Sequence, residues 1–440
     1  MRKKLLLAFA LSCCGPTLAQ EPPRATNTAR PVPTLPTALI VAQAPKAPES
    51  SPSTFVTPAP QVVAPGPIVL DPTPEPVAFA ESPANPRPGI WFNADVLNWW
   101  MPKTPIPVAI VTTADPNDNC AGQLGRPGTT ILFGNQELNT NNHVGVRMML
   151  GGWLTGDQGF GVEAGGFWFA KTSHSFRVAS DGNGNPPIYL SGYNVQTASE
   201  SSAIIADPVA QFAGDVSIVN KMQMWGTEAN ALVNLYRADT IEWTFLSGLR
   251  FIELRESFDL NANSYDLQLS SSTALHDRFA TTNHFYGLQL GSRIRWQPSR
   301  FSFEMTPKLA IGATQQVLKV EGQSSSSGAD AANPGSFVGG FFTAPSNIGR
   351  RSTVDFGIVP ALELKLGCQL TQNVNFSFGY DILYINSVLR PGNQIDRNLN
   401  LSQNPLWNAT PGVGPNAPSP GLNSSSFFVN GLNLRLEFRF

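Results

Sequence analysis

Charge is scarce in this sequence. Asp, Glu, Lys and Arg make up 14% of its 440 residues, against roughly a quarter in an ordinary soluble protein. The balance leans neither way: a net charge of −2 leaves no basic footprint for nucleic acid, so no nucleic-acid partner is expected. Cysteine is sparse too, at Cys13, Cys14, Cys120 and Cys368. The first two lie in a segment expected to be removed, Cys120 falls in a loop and Cys368 on an apolar strand face. No disulfide framework is therefore expected. No Cys-x-x-Cys pair or Cys/His cluster points to a metal, and no cofactor is expected. Beyond the N-terminus, no apolar run approaches the roughly 20 residues of a transmembrane helix. A chain poor in charge yet without an apolar span fits a membrane barrel, whose apolar residues are spaced two apart.

What is present begins with an address. Arg2, Lys3 and Lys4 precede an apolar run over 5–11, and small residues follow up to Ala19. This pattern predicts a secretory signal peptide over 1–19, cleaved after Ala19. Lipidation at Cys13 or Cys14 is the lesser alternative, because the residues before them match a lipoprotein signal badly. Residues 20–88 hold 18 of the 38 prolines. Proline removes a donor and fixes the backbone, so this stretch reads as a disordered, partly polyproline-II periplasmic tether. A spacer is the simpler reading, and cell-wall binding the alternative.

From residue 89 to 440 the pattern becomes alternation, which in a strand puts successive side chains on opposite faces. Ten segments carry it: 90–100, 144–150, 160–168, 225–235, 241–251, 286–296, 301–311, 354–366, 374–382 and 428–440. The connections are alternately short (155–159, 237–240, 297–299, 370–372) and long and polar (103–141, 173–220, 259–280, 322–350, 389–426). A closed antiparallel up-and-down transmembrane β-barrel has this asymmetry, with short periplasmic turns and long external loops. Twelve strands are the alternative, if 187–195 pairs with a neighbour. Trp100, Trp168 and Trp225 at the loop ends, and Trp243, Trp296 and Phe438 at the turn ends, are the expected aromatic girdles.

Opposite the apolar faces lie Arg147, Glu163, Glu228, Glu242, Arg250, Arg293, Arg295, Glu304, Lys308, Asp355, Glu363, Lys365, Arg435, Glu437 and Arg439. Turning an Arg or Lys to the lipid midplane costs about 2–4 kcal/mol, so these face the lumen. Ten strands lie nearer the filled eight-stranded barrel than the water-filled sixteen-stranded one. Paired, the charges form an ionic network that closes the lumen; otherwise a narrow polar pore remains for small polar solutes.

The last strand ends Leu432, Leu434, Leu436, Phe438, Phe440, with a terminal aromatic residue. It resembles the C-terminal assembly signal of outer-membrane barrels, and that resemblance implies two partners, outer-membrane lipid and the barrel assembly machinery. Three further segments resemble the putative β-barrel porin family of planctomycetes. They are Trp91-Phe92-Asn93-Ala94-Asp95 with Trp99-Trp100, Gly248-Leu249-Arg250-Phe251 with Glu253 and Glu256, and Gly379-Tyr380. The resemblance covers about 89–440 and implies an outer-membrane barrel without assigned chemistry. A porin-like or structural role without catalysis is expected. A surface-binding protein on a closed barrel is the alternative, since the loops at 323–334 and 405–423 suit hydrated external surfaces. Omptin-type proteases are also ten-stranded barrels with Asp and His at the rim. His143, His174, His276 and His284 all map to external ends or loops, as do Asp115, Asp118, Asp181 and Asp277, yet no His–Asp spacing here matches that family.

Overall fold

Ten antiparallel strands pair into a ring that has no free edge strand. In the computed structural model, which describes residues 89–138, 142–404, 406–407 and 414–440, they are β1 (Ile90–Trp100), β2 (Asn142–Trp153), β3 (Phe160–Phe169), β4 (Phe212–Arg237), β5 (Ile241–Asp266), β6 (Ser271–Trp296), β7 (Phe301–Gly328), β8 (Gly349–Gln369), β9 (Val374–Leu389) and β10 (Ser424–Arg439). Each pairs with its neighbours in sequence, and β10 closes on β1 from Trp91↔Arg439 to Trp100↔Asn430. Closure satisfies every edge, as strands in hydrocarbon require. The expected signal peptide and tether lie outside the described residues.

The outer face is apolar where the alternation predicts it. Val144, Val146, Met148 and Leu150 on β2 are exposed, as are Leu288 and Leu290 on β6 and Phe376 and Phe378 on β9. Trp100, Trp168, Trp243 and Trp296 are exposed at the two ends of this belt. The turns between them are tight and polar; in the β2–β3 turn the Thr155 hydroxyl accepts from Gly159 and Phe160 N–H. That hydroxyl and the Gly159 N–H hold the Asp157 carboxyl below its usual range.

The loop side departs from expectation. The segment 259–280 is no loop: β5 and β6 continue through it as one ladder to Asp266↔Ser271. Likewise β7 runs to Gly328, and Gly335–Val338 folds back on it. The cause is an inversion of the alternation. On β5, Leu249 and Phe251 face out within the belt, whereas beyond it Phe258, Leu260 and Ala262 face in and are fully buried. Asp259, Asn261 and Asn263 take the outer face there. Water replaces lipid outside the wall, so the apolar side turns inward.

The connections of β1–β2 and β3–β4 also contain strands. Ile188–Asn194 pairs with Ser199–Ala206, with Thr104–Thr113 and, in parallel, with Asn398–Leu399. This second sheet stands apart from the ring, so the twelve-stranded alternative does not hold. With the inward faces of the extended strands it forms a capped core that includes Ile110, Phe133, Leu190, Phe258, Phe279 and Phe342. Burial and a hydrogen bond to Asp207 push the Tyr189 phenol well above its usual range. Cys120 is buried in this cap. Cys368 is free.

Candidate functional site

The barrel interior is built in two layers. The layer nearer the turns is ionic. Asp95 on β1 accepts from Arg435 Nε (2.7 Å) and Arg147 Nε (2.6 Å) on its two neighbouring strands. Glu363 on β8 gathers Lys308 (2.9 Å), Lys365 (2.7 Å), Arg147 (3.6 Å) and Arg435 (3.9 Å). Glu228 holds Lys308 at 2.5 Å, and Arg250 lies 4.0 Å from it. Arg293 reaches Glu163 at 2.9 Å, and Lys365 reaches Glu304 at 3.2 Å. Arg295 lies between Glu437 (3.4 Å) and Glu304 (3.9 Å).

Several of these pairs are chords. Arg147–Glu363 joins β2 to β8, Glu163–Arg293 joins β3 to β6, Glu228–Lys308 joins β4 to β7, and Arg295–Glu437 joins β6 to β10. Strands that far apart in the ring meet only through its centre. The charges also balance. Arg147, Arg250, Arg293, Arg295, Lys308, Lys365 and Arg435 face Asp95, Glu163, Glu228, Glu304, Glu363, Asp381 and Glu437, seven against seven among the buried charges, with the more exposed Arg439 beside Glu437 left outside the count. A neutral layer presents no net field to draw either sign of ion inward.

The second layer, on the loop side of the first, is mostly apolar, with Asn283, Thr314 and Gln316 buried among it. Leu97 and Trp99, Phe167 and Phe169, Met222 and Met224, Ile252 and Leu254, Leu383 and Ile385, and Phe427 and Val429 all point inward and are buried. Trp99 lies 5.4 and 4.8 Å from the rings of Phe167 and Phe169. Its Nε1 donates to Asp381 Oδ2 at 3.1 Å, which joins the two layers. Three glycines paired across strands, Gly287, Gly312 and Gly357, clear the inner wall for Phe285. A Cβ on Gly287 or Gly357 would collide with that ring.

The predicted charges do not all meet. Asp355 lies on the loop side, where it accepts from Ser387 at 2.9 Å. Glu242 stays at the turn end, paired with Arg237 at 2.6 Å. Arg439 pairs with Glu437, also near that end. Asp95 and Asp381 were not among the expected network residues, although each lies on the polar face of its strand. Four of the eight rim candidates have partners of their own. His276 pairs with Asn261, His143 with Thr172, and His284 with Glu253 on the outer wall. Asp277 accepts from Phe341 and Phe342 N–H and from the Thr343 hydroxyl.

Residues 91–440 match the family model described as putative beta barrel porin-7. Among solved structures, the outer-membrane protease OmpT from Escherichia coli is 10% identical over 80% of this chain and 97% of that one, with a TM-score of 0.35. The toluene transporter TodX from P. putida is 8% identical over 80% and 90%, with a TM-score of 0.20. The transport unit of the autotransporter AIDA-I from Escherichia coli is 7% identical over 82% and 94%, with a TM-score of 0.23. No curated protein matches the chain.

Proposed function

We propose, for a chain that belongs to the putative beta barrel porin-7 family, an outer-membrane barrel that is structural and does not conduct. The observation that carries this reading is the pair of stacked layers, chords of ion pairs under a plug of apolar side chains. An ion crossing them must part pairs held at 2.5–3.6 Å and then enter a layer whose buried side chains are mostly apolar. Moving a charge into such surroundings is costly. In this reading residues 1–19 are removed, 20–88 tether the barrel on the periplasmic side, and the capped loops face outward. Leu432, Leu434, Leu436, Phe438 and Phe440 are the signal for the assembly machinery, and no catalysis is assigned.

Liposome swelling tests it. Vesicles carrying the purified protein should swell in arabinose or glucose no faster than empty vesicles. Swelling that scales with the amount of protein would contradict the closed interior and favour the narrow pore for small polar solutes.

A further inference from the structure

One carboxylate lies on the outer wall, where an ionic interior gives it no role. Glu253 belongs to the outward row of β5 with Leu249 and Phe251, yet is only 4% exposed. It accepts from Trp225 Nε1 (2.8 Å), His284 Nε2 (2.8 Å) and Arg255 Nη2 (3.0 Å). Trp225 and His284 are its pairing partners on β4 and β6, so the cluster occupies one rung of three strands. Phe251 packs beneath it, 5.0 Å from Trp225, 5.1 Å from Tyr286 and 6.0 Å from His284. Three donors hold the carboxylate, and it in turn holds Arg255. The Arg255 side chain remains 60% exposed, one rung nearer the loops.

Immediately toward the membrane centre is a groove of about 750 Å³ in the outer wall. Small side chains make it: Ala164, Thr227 and Ala229 form its floor, between Leu249, Phe251 and Leu288. Its volume falls in the range of small-molecule sites. It opens onto hydrocarbon, and an unfilled groove there would lose the dispersion contacts of its lining. Above it stands an exposed guanidinium at headgroup depth, whose planar fork suits a phosphate.

We propose that the groove and Arg255 form a site for one lipid with a phosphate headgroup. The acyl chain fills the groove, the phosphate accepts from Arg255, and Glu253 positions that guanidinium. The inference rests on the wall lying in a membrane, and is independent of whether the lumen conducts.

Native mass spectrometry of the full chain, released from micelles doped with one lipid at a time, tests this. The wild type should retain one phosphatidylglycerol, with diacylglycerol of the same chains bound about tenfold more weakly, the worth of one charge-assisted hydrogen bond. Arg255→Gln should abolish that preference. Ala229→Trp should remove both adducts, and Ala164→Phe serves in its place if that variant does not assemble. Inorganic phosphate should neither bind alone nor compete. No adduct on the wild type, an adduct unchanged by filling the groove, a dimer in place of the lipid, or displacement by inorganic phosphate would each overturn the proposal.

Discussion

Replacing Glu363 by glutamine should lower the unfolding free energy of the barrel by about 3–5 kcal/mol, the order seen when one partner of a buried ion pair is removed. Glutamine keeps the shape, so packing is not the cause. What changes is the charge balance. Glu363 is shared by Lys308, Lys365, Arg147 and Arg435, and without it seven cations face six anions in a layer sealed by apolar side chains. Water or an anion must then enter to solvate the surplus. Urea unfolding in lipid vesicles, followed by tryptophan fluorescence, measures the loss. Glu242→Gln is the control: that carboxylate is 33% exposed beside Arg237, so its change should cost under about 1 kcal/mol. Equal effects of the two substitutions would mean that the layer is not a coupled network.

The second large effect is expected in the cap. Arg390, at the start of the last loop, is 2% exposed. It donates to Glu256 Oε1 at 2.8 Å, to the Thr104 hydroxyl at 3.3 Å and to the Lys103 carbonyl at 3.4 Å. Its guanidinium also lies 5.2 Å from the centre of the Phe427 ring. One side chain thus joins the first and last loops to the wall at β5. Arg390→Ala leaves Glu256 buried and uncompensated, a cost of about 3–5 kcal/mol. That should raise the local opening of both loops on the order of a hundred- to a thousandfold, read as faster cleavage by added protease within 103–138 and 390–404. Glu256→Leu combined with Arg390→Met removes both charges and should recover most of the protection, because replacing a whole buried pair by apolar groups is often neutral. Unchanged cleavage in Arg390→Ala would show that the cap stands without this pair.

How much of this was legible in the sequence varies along each strand. Within the membrane band the period is two with one apolar face, and the ten segments from Ile90 to Phe440 stand out. Beyond the band the period persists, but its polarity reverses, as where Phe258 and Leu260 take the inner face and Asp259 and Asn261 the outer. Read for lipid-facing residues alone, such a stretch looks like a polar loop. The apolar layer was hidden for a related reason. Phe167-Trp168-Phe169, Phe251-Ile252, Leu383-Tyr384-Ile385 and Phe427-Phe428-Val429 are unbroken apolar runs, the mark of a strand buried on both faces. A search for alternation passes over them. Charge was easier to read: Arg147, Glu163, Lys308, Glu363 and Arg435 all meet inside. Pairing across the lumen depends on which strands face each other in a ring of ten, and the sequence does not contain that geometry. Glu253 shows the same limit from outside. Period two already puts it on the outer face with Leu249 and Phe251, opposite Arg250 and Glu256, but its neighbours Trp225 and His284 come from strands that only the barrel brings beside it.

Single-channel recording in planar bilayers tests the central claim most directly. Purified wild-type protein, inserted at known density in molar potassium chloride, should give no steady openings. Glu363→Gln, with its unbalanced layer, should give brief irregular ones. Stable unitary steps from the wild type would contradict a barrel sealed by paired charges and an apolar plug.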